Sequence, residues 1–216
     1  MQTIWLASYP RSGNTLLRTV LWNCFGLRSG SIYPNDLGGN KSLEEYVGHI
    51  EQSNNGGIPF EAGDLPLVKT HSIPGDDMPA IYIVRDGRAA IVSFWKFYKA
   101  HYGKKLTFET CIEGQHYFGT WESHINAWKP WDRPKTLLLR YEDLRDNLPR
   151  ELTKISTFLN RDIIGFNLPP REEIAAIDGQ FVRTKNDWMK QVNPAYVDMM
   201  NKRFGPILRK LGYSLS

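Results

Sequence analysis

Residues 3–15 read Thr3-Ile4-Trp5-Leu6-Ala7-Ser8-Tyr9-Pro10-Arg11-Ser12-Gly13-Asn14-Thr15. Thr3 to Ala7 is a short apolar run suited to a buried strand. Ser8 to Gly13 carries a proline and a glycine, which mark a loop. From Asn14 to Phe25, with leucines at Leu16, Leu17 and Leu21, the chain reads as a helix. Strand, glycine-containing loop and helix form the opening unit of a phosphate-binding α/β domain. Successive backbone N–H groups at a helix start make a concave anion site. Gly13 lets a phosphate approach closely, and Arg11 adds a permanent charge with a planar fork of donors. Ser12, Asn14 and Thr15 offer further donors. The loop is not G-x-x-x-x-G-K-[ST]: the first glycine and the Lys-Ser/Thr pair are missing, and no strand ends in an obvious magnesium carboxylate.

Further along, three more apolar runs read as strands: Leu65 to Lys69, Ala80 to Val84, and Thr136 to Arg140. Helices are expected over 14–25, 43–52, 87–101, 107–128, 148–160 and from Pro194 to Leu211. Thr107 is a plausible N-cap, and Asn193-Pro194 gives an N-cap with proline at the first helical position. The stretch from Gly26 to Pro59 is rich in Gly, Asn and Ser and reads as an irregular insertion near a ligand site. Alternating strands and helices argue for a parallel sheet covered on both faces. The expected fold is therefore an α/β, P-loop-like three-layer α/β/α domain, with residues 1–216 forming one domain.

The formal net charge of +4 suits anionic ligands such as nucleotide phosphates. Lys and Arg are dispersed, so no nucleic-acid partner is expected. No apolar stretch reaches about 18 residues, so no membrane partner is expected either. The cysteines are Cys24 and Cys111, without a C-x-x-C pattern, which fits a cytoplasmic protein without a disulfide framework. His49, His101, His116 and His124 match no metal pattern, so no metal is expected.

Two more segments carry chemistry. Arg85 ends a strand, and Ser93 follows about two turns into the next helix, where its hydroxyl can sit beside a phosphate held by the arginine. Lys69-Thr70-His71 lies at a strand end, where open α/β sheets place ligands. Histidine can take a proton near neutral pH. A lysine two positions earlier points to the same side of an extended strand and can stabilise developing negative charge.

Tyr9-Pro10-Arg11-Ser12-Gly13-Asn14-Thr15 resembles the 5′-phosphosulfate loop of the sulfotransferase family, whose cytosolic members show Y-P-K-S-G-T-T-W there. Arg11 stands at the lysine position. Leu16 stands where those enzymes carry a tryptophan that stacks on adenine. Tyr82 to Trp95, with the Arg85-to-Ser93 spacing, is similar to the family's 3′-phosphate segment. Lys69-Thr70-His71-Ser72-Ile73-Pro74 resembles the K-x-H-x-P segment that carries the catalytic base. Tyr141, in Leu139-Arg140-Tyr141-Glu142-Asp143-Leu144, occupies the position of a nucleotide-contacting tyrosine. Arg183-Thr184-Lys185-Asn186-Asp187-Trp188 is similar to the family's R-K-G-x-x-G-D-W segment, with both glycines absent.

The resemblance implies an enzyme that moves a sulfuryl group from 3′-phosphoadenosine 5′-phosphosulfate (PAPS) to a hydroxyl or amine of a small-molecule acceptor, without a metal. His71 is implied as base, with Lys69 and Arg11 stabilising charge. Residues 11–16, Arg85, Ser93, Tyr141, Arg183 and Lys185 are implied to hold the donor. Glu61 and Asp64 are the next candidates for the base. The rival readings are a small-molecule kinase using ATP and a non-catalytic nucleotide-binding protein. Oligomeric state is not legible.

Overall fold

The computed structural model describes residues 2–102, 106–177 and 187–215. Five parallel strands form one sheet in the order β2-β3-β1-β4-β5. They are β1 (Ile4–Ala7), β2 (Gly30–Ser31), β3 (Leu67–Thr70), β4 (Ala80–Val84) and β5 (Thr136–Arg140). β1 pairs with β3 through Ile4–Leu67 to Ala7–Thr70, and with β4 from Trp5–Ala80 onward. The chain thus winds to one side of β1 and then to the other, so the strand order reverses there, which is where such sheets bind ligands.

Side chains alternate across the sheet. On β4, Tyr82 and Val84 point into one core with Ala90, Trp121, Trp128 and Phe204. Ile81 and Ile83 point into the other, with Leu17, Leu21, Leu152 and Ile155. The first core is covered by α3 (Gly87–Tyr102), α4 (Phe108–Glu113), α5 (Trp121–Trp128) and α9 (Pro194–Lys210). The second is covered by α1 (Asn14–Phe25), α6 (Tyr141–Asp146) and α7 (Leu148–Leu159). These are the three layers that the alternating pattern predicts. A smaller cluster joins Leu37, Leu43, Val47 and Ile174. It ties α2 (Lys41–Val47) to α8 (Arg171–Ile177).

The continuous helix expected over 107–128 is two helices. Gly114 turns left-handed at φ 69° and ends α4, and a Cβ there would stand 2.4 Å from the Thr120 backbone nitrogen. Thr120 then caps α5 by accepting from Ser123 N–H. Thr107 caps α4, and Asn193 caps α9 ahead of Pro194, as expected. The second expected helix is shorter and earlier than its apolar pattern suggests, because left-handed Gly48 ends it. Among the described residues, no helix is long and apolar enough to cross a membrane.

Candidate active site

The loops that follow the five strands line one cleft of about 1300 Å³. Arg11, Gly13, Asn14, Thr15 and Leu16 enter it after β1, and Lys69 and His71 at the end of β3. Arg85 and Ser93 enter after β4, and Tyr141 after β5. Ten residues dispersed over the sequence are thereby gathered into one space. Arg183 and Lys185 lie outside the described residues.

The loop after β1 is held in a conformation few side chains accept. Gly13 sits at φ 103°, and a Cβ on it would stand 2.5 Å from Cδ2 of Tyr141. Glycine here serves both the backbone and the close approach of the tyrosine ring. α1 begins without a side-chain cap, so its first-turn N–H groups stay available to an anion. The Asn14 side chain is occupied: its Nδ2 donates to the Leu6 carbonyl at 2.8 Å and to Ser8 Oγ at 3.2 Å. Asn14 therefore offers the cleft its backbone N–H and not its side-chain donors. The Ser12 side chain is 1 % exposed and does not line the cleft. Its Oγ has no partner among the described residues.

The two segments read as separate phosphate grips touch. Arg11 Nε donates to Ser93 Oγ at 3.3 Å, and the guanidinium lies 4.8 Å from the Phe97 ring centre. Arg85 Nη1 donates to the Arg11 carbonyl at 3.2 Å and stacks over Tyr141 at 4.8 Å. A cationic strip thus runs from Arg85 to Arg11 along one wall.

His71 enters the same cleft just after β3. Its Nδ1 lies 2.8 Å from the Ser8 carbonyl. A carbonyl only accepts, so Nδ1 carries the proton and Nε2 is the acceptor nitrogen. Tyr33 stacks on the ring at 5.7 Å and 25°, and Phe118 meets it edge-on at 6.0 Å. The Tyr33 hydroxyl accepts from His71 N–H at 2.9 Å. Burial, and then the Lys69 charge, push the imidazole down to about 3. His71 is neutral at ordinary pH.

A buried ion cluster adjoins His71. Lys69 Nζ lies 2.5 Å from Asp36 Oδ1, and Arg18 Nη1 lies 2.6 Å from Asp36 Oδ2. Arg18 is fully buried. Its Nε donates to Ser29 Oγ at 2.8 Å, and its Nη2 to His49 Nδ1 at 2.7 Å. Burial opposes ionisation of Asp36, yet Lys69 and Arg18 together hold it well below the usual carboxylate range. Asp36 was not among the sequence candidates. Two signals point to it in retrospect. Arg18 lies on the apolar face of α1, where a cation needs a buried anion. Pro34-Asn35-Asp36-Leu37-Gly38-Gly39 is a turn-rich string after a strand. Glu61 and Asp64, expected as alternative bases, do not line the cleft; Asp64 accepts from its neighbour Glu61 N–H.

Among the aromatic residues that line the cleft, Tyr33 and Phe118 flank His71. Phe108 is core, and Tyr46 donates to Glu173. Among the described residues, no group of three or more His, Cys, Asp or Glu is gathered as a metal site requires.

Comparison with known proteins gives this geometry a family. The family model described as sulfotransferase domain matches residues 1–210. Sulfotransferase 1E1 of Mus musculus is 26 % identical over 95 % of this chain and 73 % of its own length. Sulfotransferase 1A1 of Rattus norvegicus is 29 % identical over 95 % of this chain and 74 % of its own. The fold is shared with mouse sulfotransferase SULT7A1 complexed with PAP, at TM-score 0.60 and 20 % identity over 99 % of this chain and 86 % of that one. It is also shared with retinol dehydratase in complex with androsterone and inactive cofactor PAP, at TM-score 0.65 and 19 % identity over 95 % and 80 %. A family match over nearly the whole chain, on a parallel P-loop-like α/β fold, means that the chain belongs to the sulfotransferase family.

Proposed function

We propose that the chain, as one domain, transfers the sulfuryl group of PAPS to a hydroxyl or amine of a small organic acceptor, with His71 as base. The observation that carries this is the convergence of Arg11, residues 13–16, Lys69, His71, Arg85 and Ser93 on one cleft. The N-terminus of α1 and Arg11 hold the 5′-phosphosulfate. Arg85 and Ser93, with Arg183, hold the 3′-phosphate. Tyr141 and Leu16 flank the nucleotide, and Lys185 adds charge.

The reaction is an in-line displacement. His71 Nε2 takes the proton as the acceptor oxygen or nitrogen attacks sulfur. A new bond to sulfur forms while the sulfur–oxygen bond to the 5′-phosphate breaks. The products are the sulfated acceptor and adenosine 3′,5′-bisphosphate (PAP). Lys69 and Arg11 stabilise charge on the sulfuryl oxygens and the leaving phosphate oxygen. An imidazole pushed down to about 3 by burial and Lys69 is a weak base. The anionic donor raises it once bound, because a nearby negative charge favours the imidazolium.

Tyr33 and Phe118, flanking His71, suit a flat or apolar acceptor body. The relatives crystallised with retinol or androsterone are consistent with such a molecule. Free, buried Cys24 and Cys111 fit a reducing cytoplasm. Calorimetry with PAP and with ATP tests the donor. Tighter binding of PAP is expected; preference for ATP overturns the reading. Transfer of labelled sulfate from PAPS to a panel of phenols, alcohols and amines tests the chemistry.

A further inference from the structure

We propose that Asp36 is a positioning residue for Lys69: its carboxylate, clamped by Arg18, keeps the Lys69 ammonium charged and fixed at the cleft wall. The proposal rests on the reading of Lys69 as a donor-side cation given above.

Lys69 is only 8 % exposed and stands among cations. Arg18 faces it from α1 and Arg11 from the loop after β1; both disfavour its charged form, as does burial, the largest effect. His71 stands two residues on, directly after β3, and the Tyr33 ring centre lies 5.8 Å from Nζ. Asp36 is the opposing charge, in contact through Oδ1 at 2.5 Å. Removing that carboxylate would leave a buried lysine beside two arginines, and such lysines lose their proton readily.

The carboxylate is itself built in. Its second oxygen is taken by Arg18, which is anchored in turn on Ser29 and His49. The backbone around it adopts left-handed conformations at Asn35 (φ 52°) and Leu37 (φ 65°); asparagine tolerates that region, whereas leucine occupies it only when the surroundings impose it. Leu37, 2 % exposed, locks the turn into the cluster with Leu43, Val47 and Ile174. Asp36 is not positioned to act as the base. Both its oxygens are committed to cations, and their charges hold it ionised against burial.

The test uses donor affinity, which needs no acceptor. PAPS binding is measured by calorimetry from pH 6 to 10 for the wild type, Asp36→Asn and Asp36→Glu. Linkage sets the sign. Without Asp36, the Lys69 pKa falls, so the positive charge that binds the donor is lost at lower pH. Asp36→Asn should bind PAPS at least as tightly as wild type at pH 6, because a negative charge has left the site. Its affinity should then fall at an alkaline midpoint at least about one unit lower, roughly tenfold weaker binding in that limb. Asp36→Glu keeps the charge and should keep the wild-type midpoint.

A parallel loss of affinity at every pH, with an unchanged midpoint, is the signature of a merely structural role and overturns the proposal. Should Asp36→Asn fail to fold by circular dichroism, Asp36→Glu carries the test through turnover. There, displacement of Lys69 should lower kcat at least about fivefold with donor KM within about twofold; a wild-type kcat overturns the proposal. Failure of wild-type protein to bind PAPS at all sinks the donor reading, and the Asp36 proposal with it. Wild-type binding with an unshifted Asp36→Asn midpoint sinks the Asp36 proposal alone.

Discussion

Arg11 Nε donates to Ser93 Oγ at 3.3 Å, joining the loop after β1 to α3. The residue aimed at one end of a doubly phosphorylated nucleotide thus rests on a residue aimed at the other. Arg85 closes the link from below by donating to the Arg11 carbonyl. Binding of the donor must exchange the Arg11–Ser93 bond for phosphate contacts, so Ser93 should matter in a ligand-specific way. Ser93→Ala is expected to weaken PAP binding by about tenfold, the worth of one hydrogen bond to a charged group. It should leave adenosine 5′-monophosphate, which lacks the 3′-phosphate, unchanged within about twofold. Calorimetry with the two nucleotides checks this; equal losses for both would detach Ser93 from the 3′-phosphate.

Gly13 and Tyr141 make a second pair. A methyl group at residue 13 meets the tyrosine ring at 2.5 Å and must also sit at φ 103°. Gly13→Ala should cost about 2–4 kcal/mol, from left-handed strain plus overpacking, and should abolish PAP binding. Removing the ring relieves one of the two costs. Gly13→Ala combined with Tyr141→Ala should therefore melt higher than the sum of the single variants predicts. Additive losses in thermal melts would show that the steric contact is not the problem.

Much of this arrangement was legible in the sequence, for a physical reason. Buried parallel strands are short apolar runs, and β1, β4 and β5 fall where such runs stand. In this topology the segments that follow the strands face the cleft, so locating the strands placed Arg11 four residues after β1, and His71, Arg85 and Tyr141 directly after β3, β4 and β5. β2 is hidden in the sequence because Gly30 and Ser31 carry no apolar signature; they pair through backbone alone, beside Val68 and Lys69. The turn that bears Asp36 comes directly after β2, so it is hidden with the strand. The role of Asp36 depends on Arg18 and Lys69, which lie 18 and 33 residues away, and no local pattern encodes that meeting. The split between α4 and α5 is masked because apolar periodicity continues across Gly114. That glycine is decided by its contact with the Thr120 backbone.

His71→Ala tests the base directly. The Nδ1–Ser8 hydrogen bond fixes the ring with Nε2 as acceptor. Sulfuryl transfer should fall by about 10²–10⁴-fold, the usual worth of a positioned base, while PAP affinity stays within about threefold. His71→Ala with full transfer rates would remove the histidine from the mechanism.

Acid should unfold the protein through the same histidine. His71 is pushed down to about 3 by burial and then Lys69, and His124 to about 4 by burial. An unfolded histidine titrates near 6.5. Above that pH both states are neutral and the two residues contribute nothing to the pH dependence. Below it the unfolded chain takes up protons that the folded one refuses, so stability is lost as pH falls from about 6.5 toward the folded values. At pH 4.5 each histidine should cost about 2–3 kcal/mol on this basis. His124 Nε2–H donates to the His71 carbonyl at 3.1 Å and its Nδ1 accepts from the Tyr82 hydroxyl at 2.8 Å, so its replacement would confound the reading with lost hydrogen bonds and packing. His71→Gln is the cleaner variant. Its melting temperature should lie below wild type at pH 7.5, from lost stacking on Tyr33, and the gap should narrow or reverse by pH 4.5. Melting curves from pH 4 to 8 decide it: a gap constant across that range would mean that His71 titrates alike in the folded and unfolded chains.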